Sequence, residues 1–569
     1  MGIFQQLFDR SSISCNQPQS SRGWYAIAIL TGISTSFPAL ALSVSVGADG
    51  VDARRLHQPP YNLTGKKIAI GQVEGGRPGL FGLDKFSIPN NPVNVTQVIQ
   101  LDGPAIADEY VDNHANHVAS VMISQEKRLI GVAPDATLFS AAIGPLTSEL
   151  SGQPQECLTT QTVALRNSGD VRAINFSFGE PLFSDPRPNA SLDGNALLTQ
   201  CVDWSSIAHK ALYVIAGNQG GGGIPIPTDN FNGVNVAYST QVDGRFVKVD
   251  YANASSEPGF SPRGTAAPES NVGPRRSINL VAPGDDIRML NINGQEVLSS
   301  GSSFAAPHVA ATVALLQEWG DRQIRTANWT LDSREPMVMK AVLLNAADKL
   351  MDSGDGQNLG MSRTLLDESN LTWVESDAYR DPQIPLHTEL GTGHLNAFRA
   401  YEQLNGGQWE PGTVASRGWD YRTLTTDENN TSPQHLAHTD YVIETPLKEG
   451  SYFAATLAWE RRVSLEDSDN NALYDIGETF AVDGLNNLDL YLMPVDEENT
   501  DNSVWSSVSD VDSLEHIFYQ IPESGRYKLR VVYEQQVTRE LSQPYALAWW
   551  GASESLQSTS DKEHEQNSN

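Results

Sequence analysis

From residue 65 to residue 405, short continuous apolar runs alternate with longer stretches of helical periodicity, and no other feature narrows the fold so far. The runs span residues 68–73, 138–143, 173–176, 212–216 and 278–282. They are rich in β-branched side chains and do not alternate apolar with polar, which is the pattern of strands covered on both faces. Helical stretches such as 117–124 and 305–319 lie between them. Strands covered on both faces need helical crossovers, so the alternation predicts an α/β fold with a mostly parallel sheet flanked by helices.

After about residue 410 the period changes to two. Residues 452–459, 488–492, 527–533 and 545–549 alternate, and in 488–492 (LDLYL) the leucines fall on one side. Turn signals such as Glu523-Ser524-Gly525 separate these runs. This predicts a small antiparallel β-sandwich over 410–552. Residues 42–64 read as a short polar lead-in, and 553–569 as a polar, disordered tail.

Charge excludes some partners. The chain has 38 Lys+Arg against 69 Asp+Glu, a net charge of −31. A nucleic-acid or anionic-membrane binder needs a basic face, so neither partner is expected. The uncharged stretch 23–48 follows Arg22 and contains Ala39-Leu40-Ala41, the small-residue pattern of a signal-peptide cleavage site. Cleavage after Ala41 would give a secreted or periplasmic monomer with no membrane segment; an uncleaved anchor is the alternative. Two cysteines would remain, Cys157 and Cys201, either paired in an oxidising compartment or left as buried thiols.

The segment Gly301-Ser302-Ser303-Phe304-Ala305-Ala306-Pro307-His308-Val309-Ala310 carries the strongest chemical signal. A serine just before a helix lies near free backbone N–H groups and the positive end of the helix dipole, which suits an oxyanion. Taken alone, such a serine reads as a helix N-cap. The whole segment closely resembles the active-site motif G-T-S-x-A-x-P-H-V-A of the subtilisin-like serine proteases (peptidase family S8). The resemblance makes Ser303 the nucleophile, with Ser302 where the family usually has Thr.

Other parts of that pattern occur in the family's order. His114-Ala115-Asn116-His117-Val118-Ala119 resembles H-G-T-H-V-A and makes His114 the general base; a metal pair with His117 is the chemical alternative, although no third ligand stands out. Residues 212–218 (LYVIAGN) resemble the strand and turn that deliver the oxyanion-hole asparagine, here Asn218. Residues 175–179 (NFSFG) resemble N-x-S-x-G, a strand that pairs with extended substrate. Ser177, Phe178 and Gly179 would line one wall of the primary pocket, and Ala216 and Gly217 the other. The run 220–223 could shape the pocket rim. Residues 131–134, 281–284 and 393–396 also resemble scaffold segments of the family.

Two departures stand out. The family's acid follows the first strand in D-[ST]-G, whereas here the strand ends in Glu74-Gly75-Gly76. The acid must accept a hydrogen bond from the base's Nδ1–H, and Glu can do so from a backbone set one C–C bond farther away. Rival acids are Asp108, Glu109 and Asp112. Sedolisin relatives use Glu but replace the oxyanion Asn with Asp, whereas this chain keeps Asn218. Second, about 23 residues separate the cleavage site from the first core strand, so folding is expected without a long N-terminal pro-domain, unaided or with a separate factor.

Residues 467–478 (DSDNNALYDIGE) place oxygen ligands at calcium-loop positions 1, 3, 5, 9 and 12: Asp467, Asp469, Asn471, Asp475 and Glu478, with the Leu473 carbonyl available at position 7. This predicts a structural calcium ion. Ala472 departs from the glycine usual at position 6, and a solvated acidic turn is the alternative. The surrounding runs resemble the C-terminal pre-peptidase domains appended to secreted bacterial peptidases, which implies a stabilising or substrate-docking accessory that is cut off in some relatives. The sequence as a whole predicts an exported serine endopeptidase acting on proteins or peptides. The alternatives are a binding protein on a weakened protease fold and a transpeptidase or macrocyclase.

Overall fold

The computed structural model describes residues 43–144, 152–180, 182–217, 226–242, 244–249, 271–426 and 436–553. The signal segment 1–41, the rim residues 220–223 and the tail beyond residue 553 lie outside the described residues.

A ten-stranded, mostly parallel sheet forms the larger part. Ala69–Glu74 lies inside it, parallel to Thr137–Ala142 on one side and to Val171–Phe176 on the other. The sheet continues in parallel from Val171–Phe176 to Leu212–Ala216 and Val234–Val242. Leu280–Pro283 also pairs with Val234–Val242. These strands read as continuous apolar runs because both faces are covered. Ile70, Leu138, Leu212 and Val214 pack into one core, and Val73, Phe139, Tyr213 and Ile215 into the other.

The helices Asn113–Ile123 and Ser302–Arg325 cover the first face. On the second, Gln153–Ala164 and Leu197–His209 pack together and are joined by the Cys157–Cys201 disulfide, Cα–Cα 5.9 Å. The strand ends run one residue past the sequence expectation at Glu74, which places that side chain at the carboxyl edge of the sheet.

The lead-in is not a solvated approach. Ser43–Val46 and Ala53–His57 are helical, and Val46, Val51, Ala53, Leu56 and Leu63 are fully buried. The Ser45 hydroxyl lies 3.0 Å from His308 Nε2, and Arg363 donates to the Gly50 carbonyl. Its apolar residues have no regular period, so no element showed in the sequence although these five are buried.

From Gly412 to Gly551 the chain forms a five-stranded sheet facing a four-stranded antiparallel one. Leu488, Leu490 and Leu492 all point into their shared core, as the alternation predicts. This sandwich is packed directly onto the larger part. Trp419, Ala458, Leu514, Ala546 and Ala548 belong to the same buried cluster as the helix Pro336–Asn345. Gln403 donates to the carbonyls of Gly418 and Trp549 from a buried position, so polar as well as apolar contacts join the two parts.

Candidate active site

Ser303 sits in the first turn of the helix Ser302–Arg325 and is 8% exposed. Its backbone N–H is one of the donors that a helix start leaves without an intrahelical partner. Pro307 stands four residues on, where its missing N–H would have bonded the Ser303 carbonyl. The Ser177 hydroxyl fills that place, donating to the carbonyl at 2.9 Å, and Asn175 Nδ2 donates to the Ser177 hydroxyl at 2.9 Å. The Ser303 hydroxyl in turn donates to the Ser177 carbonyl at 3.3 Å. The Ser302 hydroxyl donates to the Gly217 carbonyl at 2.6 Å. The serine turn is thereby fastened to both proposed pocket walls.

His114 is in the first turn of the helix Asn113–Ile123, capped by Asp112, whose carboxylate accepts the His114 backbone N–H at 2.8 Å. Gln72 on the first strand donates to the Ala115 carbonyl at 2.8 Å, fixing the helix against the sheet. His114 Nδ1 lies 3.3 Å from Glu74 Oε2. The Glu74 side chain is 2% exposed and that of His114 32%. Phe304, next to Ser303, packs on the His114 ring with centroids 5.6 Å apart.

Burial alone would push the His114 imidazole down, but the Glu74 carboxylate, by charge and hydrogen bond, holds it above the ordinary histidine value. Burial pushes the Glu74 carboxyl up, and His114 opposes that shift. Glu74 Oε1 is enclosed and, among the described residues, has no hydrogen-bond partner. Burial, followed by repulsion from His114, holds His117 down at about 4, so it is neutral at neutral pH. The rival acids point elsewhere: Asp112 caps the helix, Asp108 pairs with Lys85 at 2.8 Å, and Glu109 accepts from Gln100 at 3.1 Å.

Of the proposed pocket residues, Ser177 and Ala216 are buried at the ends of adjacent strands, while Phe178 and Gly179 are half-buried. Phe178 stacks on Phe176, centroids 5.0 Å apart. A Cβ at position 217 would meet the Val236 carbonyl at 3.0 Å and the end of the Ile278 side chain at 2.8 Å, so a larger residue there would crowd both. Asn218 lies outside the described residues. The roles of Asn175, Gln72 and Pro307 were missed in the sequence; the Pro307 signal, a proline four residues after the serine, was there to be read.

Far from this site, the carboxylates of Asp467, Asp469 and Glu478 approach within 4.8 Å of one another. Ala472 adopts φ 62°, the left-handed conformation that glycine would supply at position 6. Asp475 and Asn471 bond each other at 2.8 Å, and the Leu473 N–H donates to Asn471 Oδ1 at 2.6 Å. Among the described residues no lysine or arginine pairs with these carboxylates, and the hard oxygen donor set fits calcium. The loop is seated on the larger part: Tyr474 is buried, and its N–H and C=O both bond the Gln161 side chain.

The subtilase family of S8 peptidases matches residues 28–363, more than half of the chain. Subtilisin NAT of Bacillus subtilis subsp. natto is 26% identical over 293 residues, covering 50% of this chain and 65% of that protein. Subtilisin of Bacillus pumilus is 25% identical over 293 residues, covering 50% of this chain and 90% of that protein. The solved structure of the prenylagaramide maturation protease PagA aligns with a TM-score of 0.38 and 19% identity, over 62% of this chain and 97% of that one. The chain spans about two thirds of the length of the first of these subtilisins. By its sequence the chain belongs to the subtilase family of peptidases.

Proposed function

We propose that the protein is an exported serine endopeptidase whose catalytic residues are Glu74, His114 and Ser303. The observation that carries this reading is the Glu74–His114 contact at 3.3 Å, formed beside the serine turn by a carboxylate enclosed at the end of the first strand. His114 Nε2 takes the proton as the Ser303 hydroxyl attacks a peptide carbonyl. The Ser303 backbone N–H and the Asn218 side chain hold the oxyanion. His114 returns the proton to the leaving amine, and water then releases the acyl group by the same route. Substrates are proteins or peptides, bound extended along Ser177–Gly179 and against Ala216 and Gly217.

The Ser303 hydroxyl must turn from the Ser177 carbonyl toward His114 for this chemistry, and catalytic hydrogen bonds commonly tighten only when substrate binds. A second reading, a binding protein on a weakened site, draws on that same bond, which turns the Ser303 hydroxyl away from His114. Fluorophosphonate labelling with peptide mapping separates the two. The peptidase reading expects labelling at Ser303 that is lost in Ser303→Ala. A folded protein that takes no label, with calcium present, leaves the binding reading.

We also propose a structural calcium ion held by Asp467, Asp469, Asn471, Asp475, Glu478 and the Leu473 carbonyl. Export rests on the cleavage pattern at 39–41; among the described residues, no helix is long and apolar enough to cross a membrane.

A further inference from the structure

We propose that Arg461, carried by the C-terminal sandwich, is a positioning residue for the substrate pocket, and that the sandwich is therefore a permanent part of the peptidase. The inference rests on the peptidase reading above.

The argument starts at the pocket. The chain leaves one proposed wall at Gly217 and returns at Ile226, which pairs in both directions with Glu180 at 2.8 Å. Glu180 directly follows the other wall, Ser177–Gly179. The turn that begins at Ile226 runs into the strand Val234–Val242, whose Val236 carbonyl accepts the Gly217 N–H at 2.8 Å, so the turn is tied to both walls.

That turn is held from behind by the sandwich. Asn232 is fully buried and bonds the Arg461 backbone twice, its Oδ1 accepting from N–H at 2.9 Å and its Nδ2 donating to C=O at 3.0 Å. The Arg461 side chain passes beneath, 3% exposed as a residue. It donates to Asp203 at 2.8 Å and to the Gly194 carbonyl at 2.6 Å. Asp203 Oδ1 accepts the backbone N–H groups of Phe231 and Asn232 at 3.0 and 2.9 Å. The guanidinium also lies 4.3 Å from the Phe231 ring centroid, and Arg275 lies 3.5 Å from the same ring. Ser513, also from the sandwich, donates to the Phe231 carbonyl at 2.9 Å.

A guanidinium suits this place for two reasons. Its planar fork reaches a carboxylate and a carbonyl together, and its face stacks on an aromatic ring. A lysine could supply the charge but not the fork. Removing the side chain would leave Asp203 buried without its ion-pair partner, and Asp203 is one of the groups that order the turn, beside Asn230, Arg275 and Lys340.

The test uses the full-length protein with Arg461→Ala and Arg461→Lys. Three quantities are measured: KM and kcat on an extended peptide, the rate of fluorophosphonate labelling, and Kd for the same peptide in a Ser303→Ala background. An ångström-scale shift of the pocket predicts that KM and Kd rise about tenfold in Arg461→Ala and less in Arg461→Lys. The labelling rate, which needs Ser303 but little of the pocket, stays within about twofold of the parent. Gln403→Ala, which removes a bond elsewhere in the same interface, lowers thermal stability and leaves KM unchanged. A fall in stability with unchanged KM and Kd in Arg461→Ala overturns the inference. If Arg461→Ala does not fold, parental KM and Kd in Arg461→Lys overturn it equally. Absence of labelling in the parent protein counts against the peptidase reading instead, and Kd still decides the positioning role.

Discussion

Replacing Glu74 by glutamine keeps the side chain's length and removes its charge, which makes it the sharpest test of the Glu–His pair. Glu74 Oε2 lies 3.3 Å from His114 Nδ1, in a setting where the carboxylate is almost wholly enclosed. On the proposed mechanism, the parent carboxylate selects the tautomer with a proton on Nδ1 and stabilises the imidazolium that forms as Ser303 attacks. Glutamine can do the first only if its carbonyl oxygen faces the ring, and it cannot do the second. The comparable loss in a serine-protease triad is about 10⁴ in kcat, or roughly 5.5 kcal/mol of transition-state stabilisation. Glu74→Gln is therefore expected to lose about 10³–10⁴ in kcat.

The pH profile gives an independent readout with a fixed sign. Activity needs neutral His114, so the acid limb of kcat/KM follows the His114 pKa of the free enzyme. Glu74 holds that pKa above its ordinary value against burial. Without the carboxylate, burial outweighs the weaker pull of the Asp112 charge, so the limb moves to lower pH in Glu74→Gln. Glu74→Asp tests reach instead of charge. It withdraws the carboxylate by about one C–C bond, leaving the oxygen roughly 1.5 Å short, with an expected loss near a hundredfold. Initial rates from pH 5 to 9 on a chromogenic peptide measure both variants. A Glu74→Gln protein that keeps more than a tenth of the parental kcat and the parental acid limb refutes the assignment. Asp112 would then be the next acid to test, although Asp112→Asn is expected to retain the helix cap and most of the activity.

Asn218→Ala is expected to lower kcat by about 10²–10³ with little change in KM, as measured on the same peptide, because an oxyanion donor acts only in the transition state. Replacing both Cys157 and Cys201 by alanine releases a link between residues 44 positions apart, and denaturant unfolding should show a loss of about 4 kcal/mol on the chain-entropy account. Calcium at about a hundred times its Kd should stabilise the protein by about 2.7 kcal/mol, seen as a rise in Tm that chelator reverses and Glu478→Gln removes. An unchanged Tm with and without the ion would mark the loop as a solvated acidic turn.

The parallel sheet was legible because its strands are short, apolar and buried on both faces; 212–216 is placed to the residue. The sandwich was harder to divide. Strand Arg417–Thr425 reads RGWDYRTLT, and its inward-facing Asp420 breaks the apolar alternation. Asp420 is tolerated inside because Tyr441 and Arg422 donate to it; Arg422 is two residues on in the same strand, but Tyr441 comes from another strand and is set by the fold. The lead-in was hidden for a similar reason. Five apolar residues without a period look like a linker until helices from distant parts of the chain close over them.

The same distinction separates the parts of the active site. Glu74, His114 and Ser303 could be picked out as candidates because each stands in a short run of fixed spacing. The bonds that hold the serine turn in place could not, since Ser177 meets the Ser303 carbonyl across 126 residues of sequence. Residues 459–462 (WERR) show the difference most clearly. In a two-periodic stretch, three consecutive charges read as a solvated strand end, yet Glu460 and Arg461 are buried. A buried guanidinium is tolerable only with a carboxylate and acceptors already in position, so Arg461 requires Asp203, 258 residues away in sequence, to be folded around it. That requirement couples the sandwich to the peptidase fold more strictly than apolar contact would. Apolar surfaces tolerate repacking, whereas removing one half of a buried ion pair leaves the other half charged and without a partner.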